Sequence, residues 1–230
     1  MQHPYSAYED NHLLIIHKPA GWLVQGDHTG DATLTDWGKA YIKEHYNKPG
    51  DVFLHPVHRI DRPVSGLVIM ARTTKALERM TKLFRDDQIQ KTYLAIVKGK
   101  PRHIEGKLSH WLLKDEKKNV AKAFNKEMPG TKKAHLTYEV MHQDQDHSLL
   151  KIMPKTGRPH QIRVQLASEG CPIQGDLKYG YPSPNPDKSI SLHAYGLSFE
   201  HPVKKEPFEL HTPPYGTTWK EYLPIIDELA

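Results

Sequence analysis

Short apolar stretches closed by turn signatures recur along this chain, and they constrain its fold more than any other feature. Leu13-Leu14-Ile15-Ile16 reads as a buried strand that ends at the turn Lys18-Pro19-Ala20-Gly21. Gly66 to Ala71 is a second apolar strand, and Tyr93, Leu94, Ala95, Ile96 and Val97 form a third, buried on both faces. Leu136, Tyr138 and Val140 alternate with polar neighbours, and Leu150 with Ile152 marks the strand after them. Leu192 to Phe199 and Phe208 to His211 are further strands. Helical spacing is rarer. Leu34, Trp37, Gly38 and Tyr41 repeat on one face after Asp31 and Thr33, and Ala76, Leu77, Met80, Leu83 and Phe84 do so after Thr73 and Thr74. Ile162, Leu166 and Ala167 share a face in a helix stopped by Gly170, and residues 219–229 read as a closing helix interrupted at Pro224. Strands dominate and helices stand singly between them, so the class is α+β around one large mixed sheet.

No repeat, low-complexity segment or linker breaks the 230 residues, so one unit over 1–230 is expected. No apolar run approaches the ~20 residues of a membrane span. The start, residues 1–11, carries Glu9 and Asp10 and is no secretory signal. A single cysteine, Cys171, excludes an internal disulfide framework and a Cys-rich zinc site. A cytoplasmic, monomeric protein is the default expectation. The net charge of +5 and a pI near 9.0 suit a polyanionic partner. Between Lys114 and Lys133 seven lysines face Asp115, Glu116 and Glu127, a local +4 that reads either as a solvated loop or as a phosphate-tracking arm.

Chemistry concentrates in three places. In His55-Pro56-Val57-His58-Arg59-Ile60-Asp61-Arg62-Pro63-Val64-Ser65-Gly66, one carboxylate lies between two arginines on a turn entering a strand. Asp61 is then either half of an ion pair that fixes the turn, or a nucleophilic carboxylate kept charged by its guanidinium neighbours in an anion-binding cleft. In Lys155-Thr156-Gly157-Arg158-Pro159-His160-Gln161-Ile162-Arg163, basic side chains converge on the first turn of a helix, where free N–H groups favour anions. His160 and Arg163, three apart, are expected on one helix face. The alternative is a basic cap exposed to water. Tyr93 is either a core residue or a flat face for a base with a hydroxyl for proton work. No His-Glu-x-x-His, Cys-x-x-Cys, phosphate-binding glycine loop or G-x-S-x-G occurs, so neither a metal nor a nucleotide cofactor is expected.

Together these residues resemble a known family, the RluA-type RNA pseudouridine synthases. His58-Arg59-Ile60-Asp61-Arg62-Pro63-Val64-Ser65-Gly66 is similar to its H-R-L-D-x-x-x-S-G motif, with Ile60 in place of the usual leucine. Lys91-Thr92-Tyr93-Leu94-Ala95 is similar to its K-x-Y-x-A strand, and residues 156–163 to its T-G-R-x-H-Q-I-R helix start. Lys18-Pro19-Ala20-Gly21, Gly175-Asp176 with Tyr179-Gly180, and Leu192-His193-Ala194 match in the same order.

The resemblance implies an α+β catalytic domain with a mixed, mostly antiparallel central sheet in two halves, flanking helices and a basic cleft between the halves. It implies Asp61 as the catalytic aspartate, Tyr93 against the target base and Arg163 as the ion-pair partner of Asp61. Arg62 would help occupy the space left by an extruded base. Arg59, His58, Lys91, Arg158, His160 and Gln161 complete the implied RNA-contacting set. The reaction needs no cofactor, and the implied partner is transfer or ribosomal RNA. The path, through a glycal or a covalent adduct, is left open. The first core strand begins near residue 13, so no S4 RNA-binding domain is expected before it. The Arg-Pro-Val-Ser-Gly form and residues 88–91 look closer to members without that domain, which modify tRNA. Two other readings stand beside the enzyme. One is a catalytically silent RNA-binding module of the same fold, which the presence of Asp61, Tyr93 and Arg163 disfavours. The other is a histidine-based metal-dependent nuclease, which lacks clustered carboxylates.

Overall fold

The computed structural model describes residues 3–27 and 29–229; Met1 and Gln2, part of the polar start, lie outside the described residues, as do His28 and Ala230. The chain divides into two units, Met1–Ile89 with Ala194–Thr212, and Gln90–His193 with Pro213–Ala230. No Gly- or Ser-rich linker marks the first two crossings. One falls at the start of a strand and the other inside one, which is why the sequence shows no boundary there.

The first unit is built on β1 (Tyr5–Glu9), β2 (Leu13–Lys18), β3 (His55–Pro56) and β4 (Ser65–Ala71), with helices α1 (Leu34–His45) and α2 (Thr74–Arg85). β2 pairs antiparallel with β1 on one side and with β4 on the other, and β3 adds to the end of β4. All six residues of β2 are buried, and the pleat explains why. Leu13 and Ile15 join Leu67, Ile69, Ala76 and Met80 under α2. Leu14 and Ile16 face α1, which approaches closely at Gly38: a Cβ there would meet Leu54, Ile16 and Leu14. Both helices start where the sequence places them. Thr33 and Asp36 form a reciprocal capping box, and the Thr73 hydroxyl accepts from the Ala76 N–H.

The second unit carries β5 (Gln90–Lys98), β6 (Glu105–Asp115), β7 (Val120–Phe124), β8 (Lys132–Gln143), β9 (His147–Pro154), α3 (Gln161–Ser168) and α4 (Leu223–Asp227). Its strands run in the order β5-β9-β8-β6-β7, all neighbours antiparallel. α3 covers β6, β7 and β8 through Val164, which packs with Leu112, Ala121 and Ala134. β10 (Leu192–Glu200) crosses from the second unit into the first, where it neighbours β4 and pairs antiparallel with β11 (Pro207–His211). The class is therefore α+β with mostly antiparallel pairing. No helix among the described residues is long and apolar enough to cross a membrane.

Three elements depart from expectation. The Lys114–Lys133 segment is neither a loop nor a free arm: it holds the β6–β7 hairpin and the start of β8. Pro224 does not interrupt a closing helix but begins one, since α4 carries it in its first turn, where the missing N–H costs nothing. His160 is not in the first turn of α3. It precedes the helix as its cap in the left-handed region at φ 53°.

The β1–β2 turn is held by Asp10, whose carboxylate accepts from the N–H groups of His12 and Leu13 at 2.8 Å each. Burial alone would raise this carboxyl, but those N–H groups, Lys204 and the Tyr8 hydroxyl outweigh it and hold Asp10 at about 2. A lowered folded value means stability present above the ordinary value of 3.8 and lost as pH falls toward about 2. Asp10→Asn is expected to lower stability at pH 7 by about 1 kcal/mol and to flatten the acid limb of a urea-denaturation series. An unchanged acid limb would remove Asp10 as its source.

Candidate functional site

Asp61 sits on a turn that the fold fixes from below. Its neighbours Ile60 and Val64 are buried while Asp61 is half-buried and Arg62 exposed, so the apolar flanks sink and the charged pair stays near the surface. The Val64 N–H closes the turn on the Asp61 carbonyl at 3.0 Å. The carbonyl of Arg62 then takes two donors, the N–H of Gly21 at 2.7 Å and the Lys18 ammonium at 3.1 Å.

Lys18 is the residue that sequence reading missed. It is 0% exposed at the end of β2, and its Nζ also donates to the carbonyls of Pro19 at 3.0 Å and Trp22 at 2.9 Å. Burial pulls its pKa down to about 7; the charge of Asp61 pulls it up again, and Arg62 adds to the fall. A lysine preceding Pro-Ala-Gly at a strand end was the available signal, and it read as turn chemistry and as a supporting match to the family, with no role for the ammonium.

The structure commits several of the expected site residues to the fold. The Arg62 Nη2 lies 2.8 Å from Asp31 and its Nε donates to the Gly21 carbonyl, so its guanidinium ties the Asp61 turn to the segment before α1. His58 accepts the Ile69 N–H at Nε2 (3.1 Å) and stacks on Phe84, pinning the turn to β4 and α2. Arg59 is exposed. Gly66, which ends the motif, has φ 119° and lies so near β10 that a Cβ would stand 2.3 Å from the Ala194 carbonyl oxygen.

In the second unit, Lys91 and Tyr93 lie half-buried on β5, Tyr93 opposite Ile152 of β9. The Thr156–His160 loop is folded around one side chain, Gln161, 4% exposed. Its Oε1 accepts from the Thr156 hydroxyl (2.7 Å) and the Arg158 N–H (3.0 Å), and its Nε2 donates to the His135 carbonyl (2.9 Å). Arg158 donates through Nε to the Lys133 carbonyl. Arg163 is buried rather than a solvated cap, and it has a carboxylate partner in its own unit. Asp176 takes its Nε at 2.6 Å and its Nη2 at 2.9 Å, a bidentate pair of fixed orientation. Two constellations result: Asp61, Arg62, Arg59 and His58 around one turn, and Arg158, His160, Gln161 and Arg163 at the head of α3. Among the described residues no group of three His, Cys, Asp or Glu is arranged to hold a metal ion.

Comparison with known proteins adds four findings. The family model for RNA pseudouridylate synthases matches residues 12–168. Over 212 residues the chain is 32% identical to ribosomal large subunit pseudouridine synthase C of Vibrio vulnificus, covering 90% of this chain but 64% of that protein, so it spans just under two thirds of that relative's length. It is 30% identical to tRNA pseudouridine synthase C of Haemophilus influenzae, covering 86% of this chain and 88% of that one. The solved structure of human RNA pseudouridylate synthase domain containing 4 superposes with a TM-score of 0.78 over 96% of this chain and 92% of that one at 23% identity, which establishes a shared fold.

If the Lys18 ammonium fixes the Asp61 turn, Lys18→Met leaves the Pro19 and Trp22 carbonyls without that donor and costs roughly 2–4 kcal/mol in urea denaturation. Amide hydrogen exchange at Gly21 and Val64 is expected to quicken; unchanged exchange there would show that the turn holds without the lysine.

Proposed function

The chain belongs to the RNA pseudouridylate synthase family, and on that premise we propose that it isomerises uridine in RNA to pseudouridine with Asp61 as the essential carboxylate. The observation that carries this reading is the matched span itself: residues 12–168 contain the Asp61 turn, the Lys91–Ala95 strand and the Thr156–Arg163 loop in the family's order. Relatives named for ribosomal RNA and for tRNA both support RNA as the substrate.

The reaction breaks the N1–C1′ bond, turns the uracil and joins C5 to C1′, with one proton lost from C5 and one gained at N1. Nothing is oxidised, so the chemistry demands charge stabilisation and proton handling. A folded RNA hides these atoms, and the target nucleotide has to leave its stack first. The Asp61 carboxylate supports positive charge developing at C1′, as the nucleophile of a retaining glycosidase does, or takes the sugar's C2′ proton. Tyr93 offers its ring to the base and its hydroxyl to the proton steps. Arg163, oriented in advance by Asp176, keeps a fixed positive charge at the head of α3, and a pre-aimed donor loses little in reorganisation. The β6–β7 hairpin adds Lys117, Lys118 and Lys122, all exposed, with Lys126 just beyond it, as contacts for RNA phosphates.

Asp61→Asn is nearly isosteric and is expected to abolish tritium release from RNA carrying [5-3H]uridine while stability stays within about 1–2 kcal/mol of the parent. Substantial turnover in that variant would refute the assignment, and pseudouridine mapping of total RNA from cells with and without the protein would identify the RNA class. Changing Lys117, Lys118, Lys122 and Lys126 together to Gln is expected to weaken RNA binding and reduce the slope of log K against log salt by roughly 3–4, at about 0.7–0.9 per phosphate contact. An unchanged slope would leave the hairpin as a solvated surface.

A further inference from the structure

One oxygen in the second unit serves three elements. The Tyr179 hydroxyl, on the short 3-10 turn Leu177–Tyr179, accepts the N–H of Ala121 near the start of β7 at 2.8 Å. The same oxygen is 2.8 Å from Nδ1 of His160, and the Tyr179 ring lies under the Arg163 guanidinium, 5.1 Å from its centre. Three residues earlier, Asp176 holds that guanidinium from the side. His160 itself occupies a left-handed backbone conformation at the head of α3, an unusual place for a side chain with a Cβ and one that tends to mark function.

The hydrogen bonds have a direction. A backbone N–H can only donate, so toward Ala121 the hydroxyl is an acceptor, and it still carries its own hydrogen. The His160 Nδ1 stands 2.8 Å away, where the lone pair of a neutral imidazole can take that hydrogen. An imidazole that accepts at Nδ1 keeps its proton at Nε2.

We propose that Tyr179 is a positioning residue: its hydroxyl, oriented by the Ala121 amide of the lysine-bearing hairpin, fixes His160 as the Nε2–H tautomer and so presents an N–H donor to an oxygen of the bound RNA at the head of α3. The Arg163 guanidinium above the same ring is held by that ring and by Asp176 together. Seating of the basic hairpin and the chemical form of His160 thus depend on a single atom. The proposal rests on the reading that the chain acts on RNA, but the tautomer can be read without turnover.

The test uses the full chain labelled with 15N-histidine, at a pH where the imidazoles are neutral. The His160 signals are identified by their loss in His160→Gln, and long-range proton–nitrogen correlation gives the tautomer. The parent protein is expected to show His160 protonated at Nε2, and Tyr179→Phe, which keeps the ring under Arg163, a shift toward the Nδ1–H form. In turnover, Tyr179→Phe is expected to lose about tenfold in kcat/KM, and the double variant Tyr179→Phe/His160→Gln to lose no more than His160→Gln alone. An Nδ1–H pattern in the parent, an unaltered tautomer in Tyr179→Phe, or losses that multiply fully in the double variant would each overturn the proposal. If neither protein makes pseudouridine while the tautomer still shifts, the linkage stands and the RNA reading falls.

Discussion

A lysine ammonium with no access to solvent, surrounded by the carbonyls of Pro19, Trp22 and Arg62, is the contact on which the Asp61 turn depends. Taking an ammonium out of water is expensive, and three well-placed acceptors offset that cost only while the turn keeps its shape. The dependence runs both ways: the turn solvates the lysine, and the lysine selects one geometry for the turn. Gly21 and Arg62 add a second clasp, since each donates to the other's carbonyl. The side chain of Asp61 is thereby carried on a backbone with little freedom, which suits the role proposed for it.

The second unit uses the same device with different chemistry. Gln161 ties the loop that precedes α3, through Thr156 and Arg158, to the His135 carbonyl of β8, and Asp176 gives both oxygens to Arg163. Gln161, one of the expected RNA-contacting residues, also holds its neighbours in place, as Asp176 does for Arg163. Removing one partner of such a buried pair leaves the other unsatisfied, so a loss of activity at Gln161 or Asp176 would report a collapse of local geometry before any contact with RNA.

The fold was legible where periodicity was strong. β2, β4, β5 and β10 announce themselves because they are buried on both faces and therefore nearly continuous in apolar residues. β6 does not: its inward positions are Leu108, His110 and Leu112, a histidine between two leucines, while Trp111 and Leu113 stand on the other face, so no clean apolar–polar alternation marks the strand. The motifs single out candidate site residues, but motif order carries no information on partners. Nothing in the sequence says that Arg62 reaches Asp31 or that His58 caps Ile69, because those pairings depend on how distant segments pack. Lys18 was hidden for the opposite reason. Charge predicts exposure, and a lysine buried by three carbonyls contradicts the residue's ordinary habit.

Gly66 shows a different kind of requirement, one of omission. The backbone of β4 and that of Ala194 come so near that a single methyl group has nowhere to go, and the positive φ discourages one in any case. A saturation-mutagenesis scan would therefore record this position as intolerant as a reacting group, although glycine has no side-chain chemistry to contribute. Sensitivity to substitution along this motif measures two separate things, the reagent and the clearance that lets the reagent's platform exist, and a scan by itself does not tell them apart.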